Sequence, residues 1–160
     1  KNISEKIVKH RDVMEMIEMR KLIEPGAASL AAEKANEDDV SRIEGQYRLM
    51  LGEKTDVEKF IEYDSQFHLA IFQSLQNHLI MEIMKNIHQL MRKNQALILH
   101  KSNTIMPRSL DYHMRILAAI KQRNKSLASR TMLNHILDIE KEMYIILKEE
   151  DRTDDKLESS

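Results

Sequence analysis

Helix breakers are scarce in this sequence: three glycines and two prolines in 160 residues, and no segment sustains strict apolar–polar alternation. Glycine and proline punctuate turns, and alternation is the mark of a half-buried strand. A chain lacking both is steered towards long helices. Its apolar residues do recur at helical spacing. Val13, Met16, Ile17, Leu22 and Ile23 mark a first stretch over 8–35. Pro25-Gly26 is expected to kink or break it, because proline removes a backbone donor and crowds the preceding turn. Asn36, with Asp39 three residues on, reads as the cap of a helix over 37–51 that Gly52 ends. Thr55 and Glu58 read as a capping box for the next helix, to about Leu75, and Asn77 caps the one after. Residues 100–108 read as a loop, Ser109 as the cap of a fifth helix, 123–125 as a short break, and 126–148 as a last helix.

The fold class that follows is all-α: an antiparallel helical bundle of six to seven helices with short connections. Residues 1–150 form one domain, and the charged segment 151–160 is expected to be a frayed tail. Hydrophobic residues make up 42% and charged residues 32%, the balance of a soluble globular chain. A formal net charge of −1 gives no bulk electrostatic reason to bind nucleic acid. No apolar run approaches a membrane span and no signal peptide is visible. With no cysteine, disulfides and thiolate metal sites are excluded, which fits a cytoplasmic protein. Any metal site must use His, Asp or Glu. The eleven methionines read as filler of irregular core gaps.

Some polar residues occupy positions that should be core. Phe60, Asp64, Phe67, His68 and Ile71 share one helical face. His113 lies on a stripe with Leu110, Leu117 and Ile120, and His135 on one with Ala128, Met132, Ile139 and Met143. His10, His78 and His100 fall near helix ends or loops and read as solvated or capping, and His88 flanks its stripe. A histidine on an apolar face is, taken alone, more often a hydrogen-bonded core residue than a ligand. Asp64 is harder to account for, because a buried carboxylate needs a partner and a cation can be that partner. Asp64 and His68 are four residues apart, so both reach one point. His113 and His135 can add two ligands from neighbouring helices. Three imidazoles and a carboxylate suit a divalent metal such as Zn, Ni, Mn or Fe(II).

Catalytic signatures are missing. There is no HExxH, no ExxH of the kind di-iron bundles carry, no His-Asp dipeptide, no glycine-rich phosphate loop and no nucleophile elbow. This weighs against an enzyme.

Four motifs in order carry a resemblance. Glu18-Met-Arg20-Lys-Leu-Ile-Glu24, followed by Ala27-Ala28 and Leu30-Ala31-Ala32, is the first. Asp64-Ser-Gln-Phe67-His68, with Asn77 beyond it, is the second. His113-Met-Arg-Ile-Leu117-Ala-Ala-Ile120 is the third, and Ala128 with Met132-Leu-Asn-His135 the fourth. Together they resemble the C-terminal ligand-binding (FCD) domain of the GntR superfamily, FadR subfamily, over roughly residues 12 to 147. Tyr112 stands where the family usually has Glu, and Gln76 where a Gly is common.

The resemblance implies the effector-sensing domain of a bacterial transcription regulator, not an enzyme. It implies a divalent metal (Zn, Ni or Mn) on Asp64, His68, His113 and His135, and a small carboxylic acid effector beside it, clamped by Arg20. The plainer role for Arg20 is an ion pair with Glu24. It further implies a homodimer, with DNA bound through an N-terminal winged helix-turn-helix domain and not through this chain. The start at Lys1 and the near-neutral charge fit a domain separated from that DNA-binding part. Other readings are a metal-dependent helical-bundle enzyme, a metal-free structural domain with a hydrogen-bonded polar core, and an acyl-CoA-binding member of the same family without a metal.

Overall fold

The computed structural model describes residues 3–158, with side chains from residue 10 onward. It is an all-α bundle of six helices: α1 Ile3–Lys34, α2 Glu37–Gly52, α3 Val57–Gln73, α4 His78–Lys101, α5 Ile105–Lys121 and α6 Lys125–Glu158. No strand occurs among the described residues. Connections of two to four residues join the helices; from α2 onward each helix packs against its predecessor, while α1 packs chiefly along α6. Among the described residues no helix is long and apolar enough to cross a membrane.

Caps fix several of these boundaries. Asn36 Oδ1 accepts from the Asp39 amide at 2.8 Å, and Asp39 returns the bond by accepting from the Asn36 amide at 3.1 Å. Asn77 Oδ1 accepts from the Ile80 amide at 3.1 Å. The cap of α3 is Asp56, whose carboxylate accepts from the Lys59 amide at 3.1 Å. It sits one residue beyond the expected Thr55, because a charged oxygen makes the stronger bond to an orphan amide. Gln76 (φ 51°) and Arg123 (φ 59°) take the left-handed conformation that reverses the chain after α3 and α5.

Three expectations change. Pro25 does not break α1, which runs through it as one helix. Arg20 and Glu24 before it, and Ala27, Ala28, Ala31 and Ala32 after it, are all buried. Packing along α6 therefore outweighs the roughly 3 kcal/mol that an internal proline costs. The expected loop over 100–108 shrinks to 102–104, and Ser109 is a buried residue inside α5 rather than its cap. Ile105 is buried and draws the extra turn into the bundle. Pro107 falls in that first turn, where a missing amide costs no helical bond. Finally, α6 continues to Glu158, so residues 151–158 of the expected tail are helical. Ser159 and Ser160 lie outside the described residues.

The core gathers Phe60, Phe67 and Phe72 of α3, Ile17 of α1, Met84 and Met91 of α4, Ile116 of α5 and Met143 of α6. α1 touches α3, α4, α5 and α6, so its buried polar residues reach the middle of the bundle.

Candidate metal centre

Helix α3 supplies Asp64 and His68, one turn apart; α5 supplies His113 and α6 supplies His135. The structure brings all four together. One ligand atom from each lies within 4.8 Å of the others. His113 Nε2 is the hub: it stands 3.1 Å from His68 Nε2, 3.0 Å from His135 Nε2 and 3.4 Å from Asp64 Oδ1. His68 Nε2 is 4.0 Å from the same Asp64 oxygen. The three histidines are at most 1% exposed and Asp64 is 8% exposed.

The surroundings orient these groups. Phe67 stacks on His113 with centroids 4.3 Å apart and planes 15° from parallel. Met50 Sδ of α2 lies 3.2 Å from His113 Nδ1. A thioether only accepts, so that contact puts the proton on Nδ1 and leaves a lone pair on Nε2. Gln95 of α4 donates to Asp64 Oδ2 at 3.0 Å, leaving Oδ1 to face the histidines.

Burial pushes the pKa of His113 and of His135 well below the ordinary imidazole value, and the neighbouring His68 and Arg20 add to the depression. Both rings are therefore neutral, the state a metal ligand requires. A neutral imidazole nitrogen offers either one proton or one lone pair. His113 Nε2 has two nitrogen neighbours at about hydrogen-bond distance and only one lone pair to share between them. His68 Nδ1 and His135 Nδ1 form no hydrogen bond. A divalent cation satisfies all three Nε2 lone pairs at once. Two nitrogens about 2.1 Å from one ion stand about 3.0 Å apart at right angles and about 3.4 Å apart at the tetrahedral angle. The observed 3.0 and 3.1 Å fall at the short end of that range, so the donor set fits one ion.

Arg20 reaches the same region from α1. It is 1% exposed, and its Nε donates to Glu24 Oε2 at 2.8 Å. Both roles considered for it are geometrically open, because Nη1 and Nη2 are buried without any partner. Arg20 and Asp64 line one cavity of about 40 Å³, with Asn94, Gln95 and Ser109 as other polar groups and Ile17 and Phe60 among the apolar ones.

Two further residues near the centre are not among the ligands expected from the sequence. Glu24, fully buried, accepts from Arg20 and from His88 Nε2 at 2.9 Å, and its Oε1 lies 3.3 Å from His68 Nδ1. Burial alone would raise its pKa; Arg20 and His68 hold it well below the usual carboxylate value instead. His88 is buried on α4 and not at the edge of its stripe. The four-residue spacing of Arg20 and Glu24 was the one available signal. Nothing local shows that α4 delivers His88 to the same carboxylate.

Fold and site together define the class: an all-helical domain with a buried histidine–carboxylate cluster beside an arginine-walled cavity. The chain belongs to the FCD domain family, whose model matches residues 15–138. It is 35% identical over 138 residues to the HTH-type transcriptional regulator LutR of Bacillus subtilis, covering 84% of this chain and 63% of that protein. It is 30% identical over 126 residues to the galactonate operon transcriptional repressor of Escherichia coli, covering 79% and 55%. A Streptococcus agalactiae GntR structure superposes with a TM-score of 0.68 at 24% identity, over 82% of this chain and 59% of that one, a likeness of fold. The chain therefore spans less than two thirds of the length of these curated relatives.

Proposed function

We propose that this chain is the effector-sensing domain of a bacterial GntR/FadR-type transcription regulator. It binds a divalent metal through Asp64, His68, His113 and His135 and a small organic acid in the adjoining cavity. The observation that carries this reading is the pairing of three convergent Nε2 atoms with the unpartnered Nη1 and Nη2 of buried Arg20, which shares a cavity with Asp64. A planar guanidinium fork is matched by a carboxylate. The cavity has room for about three water molecules, which suits a carboxylate head with a short chain. The relative named as a galactonate operon repressor makes hydroxy acids the first effectors to try, beginning with the shortest, which match the cavity.

DNA binding belongs to an N-terminal winged helix-turn-helix domain of the whole, cytoplasmic regulator. Effector and metal act by favouring one arrangement of that domain over another. The function is binding, not catalysis. Homodimerisation is favoured by an exposed apolar stripe of Leu79, Ile83 and Leu90 on α4, where Leu90 lines one groove with exposed Met19 of α1. Size-exclusion chromatography with light scattering should find a dimer that Leu90→Glu weakens.

The test of the sensor reading is elemental analysis of the purified domain, followed by thermal shift with hydroxy acids. About one divalent metal per chain, lost in a variant carrying Asp64→Ala and His113→Ala, is the expected result. A protein that binds no metal after dialysis against Zn, Ni and Mn would overturn it.

A further inference from the structure

We infer that Glu24 is a positioning residue for the metal centre: from outside the ligand set, it fixes the His68 ring so that Nε2 faces the cation. This rests on the sensor reading above and assigns a role to a residue that reading does not use.

Glu24 sits on α1, in the middle of the bundle, with no exposed surface. Such a carboxylate is costly to bury without several partners. It has Arg20 Nε at 2.8 Å on Oε2, and His88 Nε2 at 2.9 Å and His68 Nδ1 at 3.3 Å on Oε1. Arg20 and His88 make hydrogen bonds to it. His68 Nδ1 is within reach of Oε1 but outside hydrogen-bond geometry. A carboxylate only accepts, so the bond it can form with His68 requires the proton on Nδ1 and the lone pair on Nε2. Nε2 is the atom that stands 3.1 Å from His113 Nε2. One imidazole thus has a carboxylate at one nitrogen and the centre at the other, an arrangement that holds ring and tautomer in many metal sites.

The rival role is that Glu24, His68 and His88 form a cation site of their own, since their ligand atoms also lie within 4.8 Å of one another. Two features oppose it. The guanidinium of Arg20 already occupies Oε2 at 2.8 Å, so a second cation would meet a full positive charge at close range in a poorly screened interior. His68 also cannot aim one lone pair at both places.

The experiment uses Co²⁺ as the probe, titrated into the domain against a chelator of known affinity, with the visible spectrum followed. Glu24→Gln keeps the shape and removes the charge and one acceptor. The expected result is one Co²⁺ per wild-type chain, bound about 10–100-fold more weakly by the variant, with helicity preserved and a lower metal-free melting temperature, because Arg20 loses its charged partner. Nitrogen-15 spectra of the metal-loaded wild type should show His68 protonated on Nδ1 and metallated on Nε2. This measurement decides the matter even if the variant fails to fold. Equal affinity in a folded variant, or metal on His68 Nδ1, would overturn the role of Glu24 and leave the metal centre standing. No Co²⁺ binding by the wild type would remove the metal centre itself.

Discussion

His113 Nε2 and His135 Nε2 meet 3.0 Å apart across the α5–α6 interface, both on rings with no exposed surface. At that distance one nitrogen must carry a proton for the contact to be attractive. In the proposed metal-loaded state neither would, and a cation held by both would replace the hydrogen bond.

Metal removal should therefore loosen the bundle. A ligand at about 100 times its dissociation constant adds about 2.7 kcal/mol to stability. For a domain of this size that is a melting temperature roughly 5–10 °C higher than in excess chelator. Differential scanning calorimetry with and without Zn²⁺ or Ni²⁺ measures it, and an unchanged midpoint would argue for a hydrogen-bonded network instead.

Arg20→Lys should separate effector binding from metal binding. Lysine keeps the charge but has no planar fork with which to hold Glu24 and a carboxylate together. Metal content should stay near the wild-type level, while the thermal shift produced by a responsive hydroxy acid falls by most of its size. A full shift in the variant would move the effector away from Arg20.

Phe67 joins core and site, since its ring is fully buried and stacked on His113. Phe67→Ala should lower unfolding free energy by about 3–5 kcal/mol. Phe67→Leu should cost less but still weaken metal binding, because the imidazole loses its flat support. Urea unfolding and a metal titration on the two variants separate packing from orientation.

Arg108 ties α5 to α6, donating from Nε to Asp138 and from Nη2 to Glu142, both at 2.9 Å. The pKa of Glu142 is lowered from 4.5, first by its bond with Ser102 and then, against partial burial, by Arg108. A carboxyl with a depressed folded pKa stabilises above its unfolded value and loses that contribution as pH falls through the folded one. Arg108→Gln should thus cost about 1 kcal/mol at about pH 7. The difference from wild type should shrink below about pH 4, and denaturant titrations across that range test it.

The helices could be read locally because their signals are local. The bonds of Asn36 with Asp39 and of Asn77 with Ile80 span three residues, and the motifs around Asp64 and His68 share a single turn. Pro25 and Ser109 misled for the complementary reason. Proline's penalty and serine's capping tendency are weak beside the burial of Ala27, Ala28 and Ile105, and burial depends on helices far away in sequence.

The order of residues alone makes the chain all-helical, because periodicity and a shortage of breakers leave little else. It also singled out Asp64, His68, His113 and His135, because each is a polar side chain on a stripe that must be buried. Tertiary packing alone brings His68 Nε2 and His135 Nε2 each within about 3 Å of His113 Nε2, and sets His88 and Arg20 on one carboxylate, Glu24. It also leaves Nη1 and Nη2 of Arg20 without a hydrogen-bond partner, on a cavity that Arg20 shares with Asp64. Those relationships join residues tens of positions apart on different helices. Side-chain packing sets them, and no short-range rule carries that information.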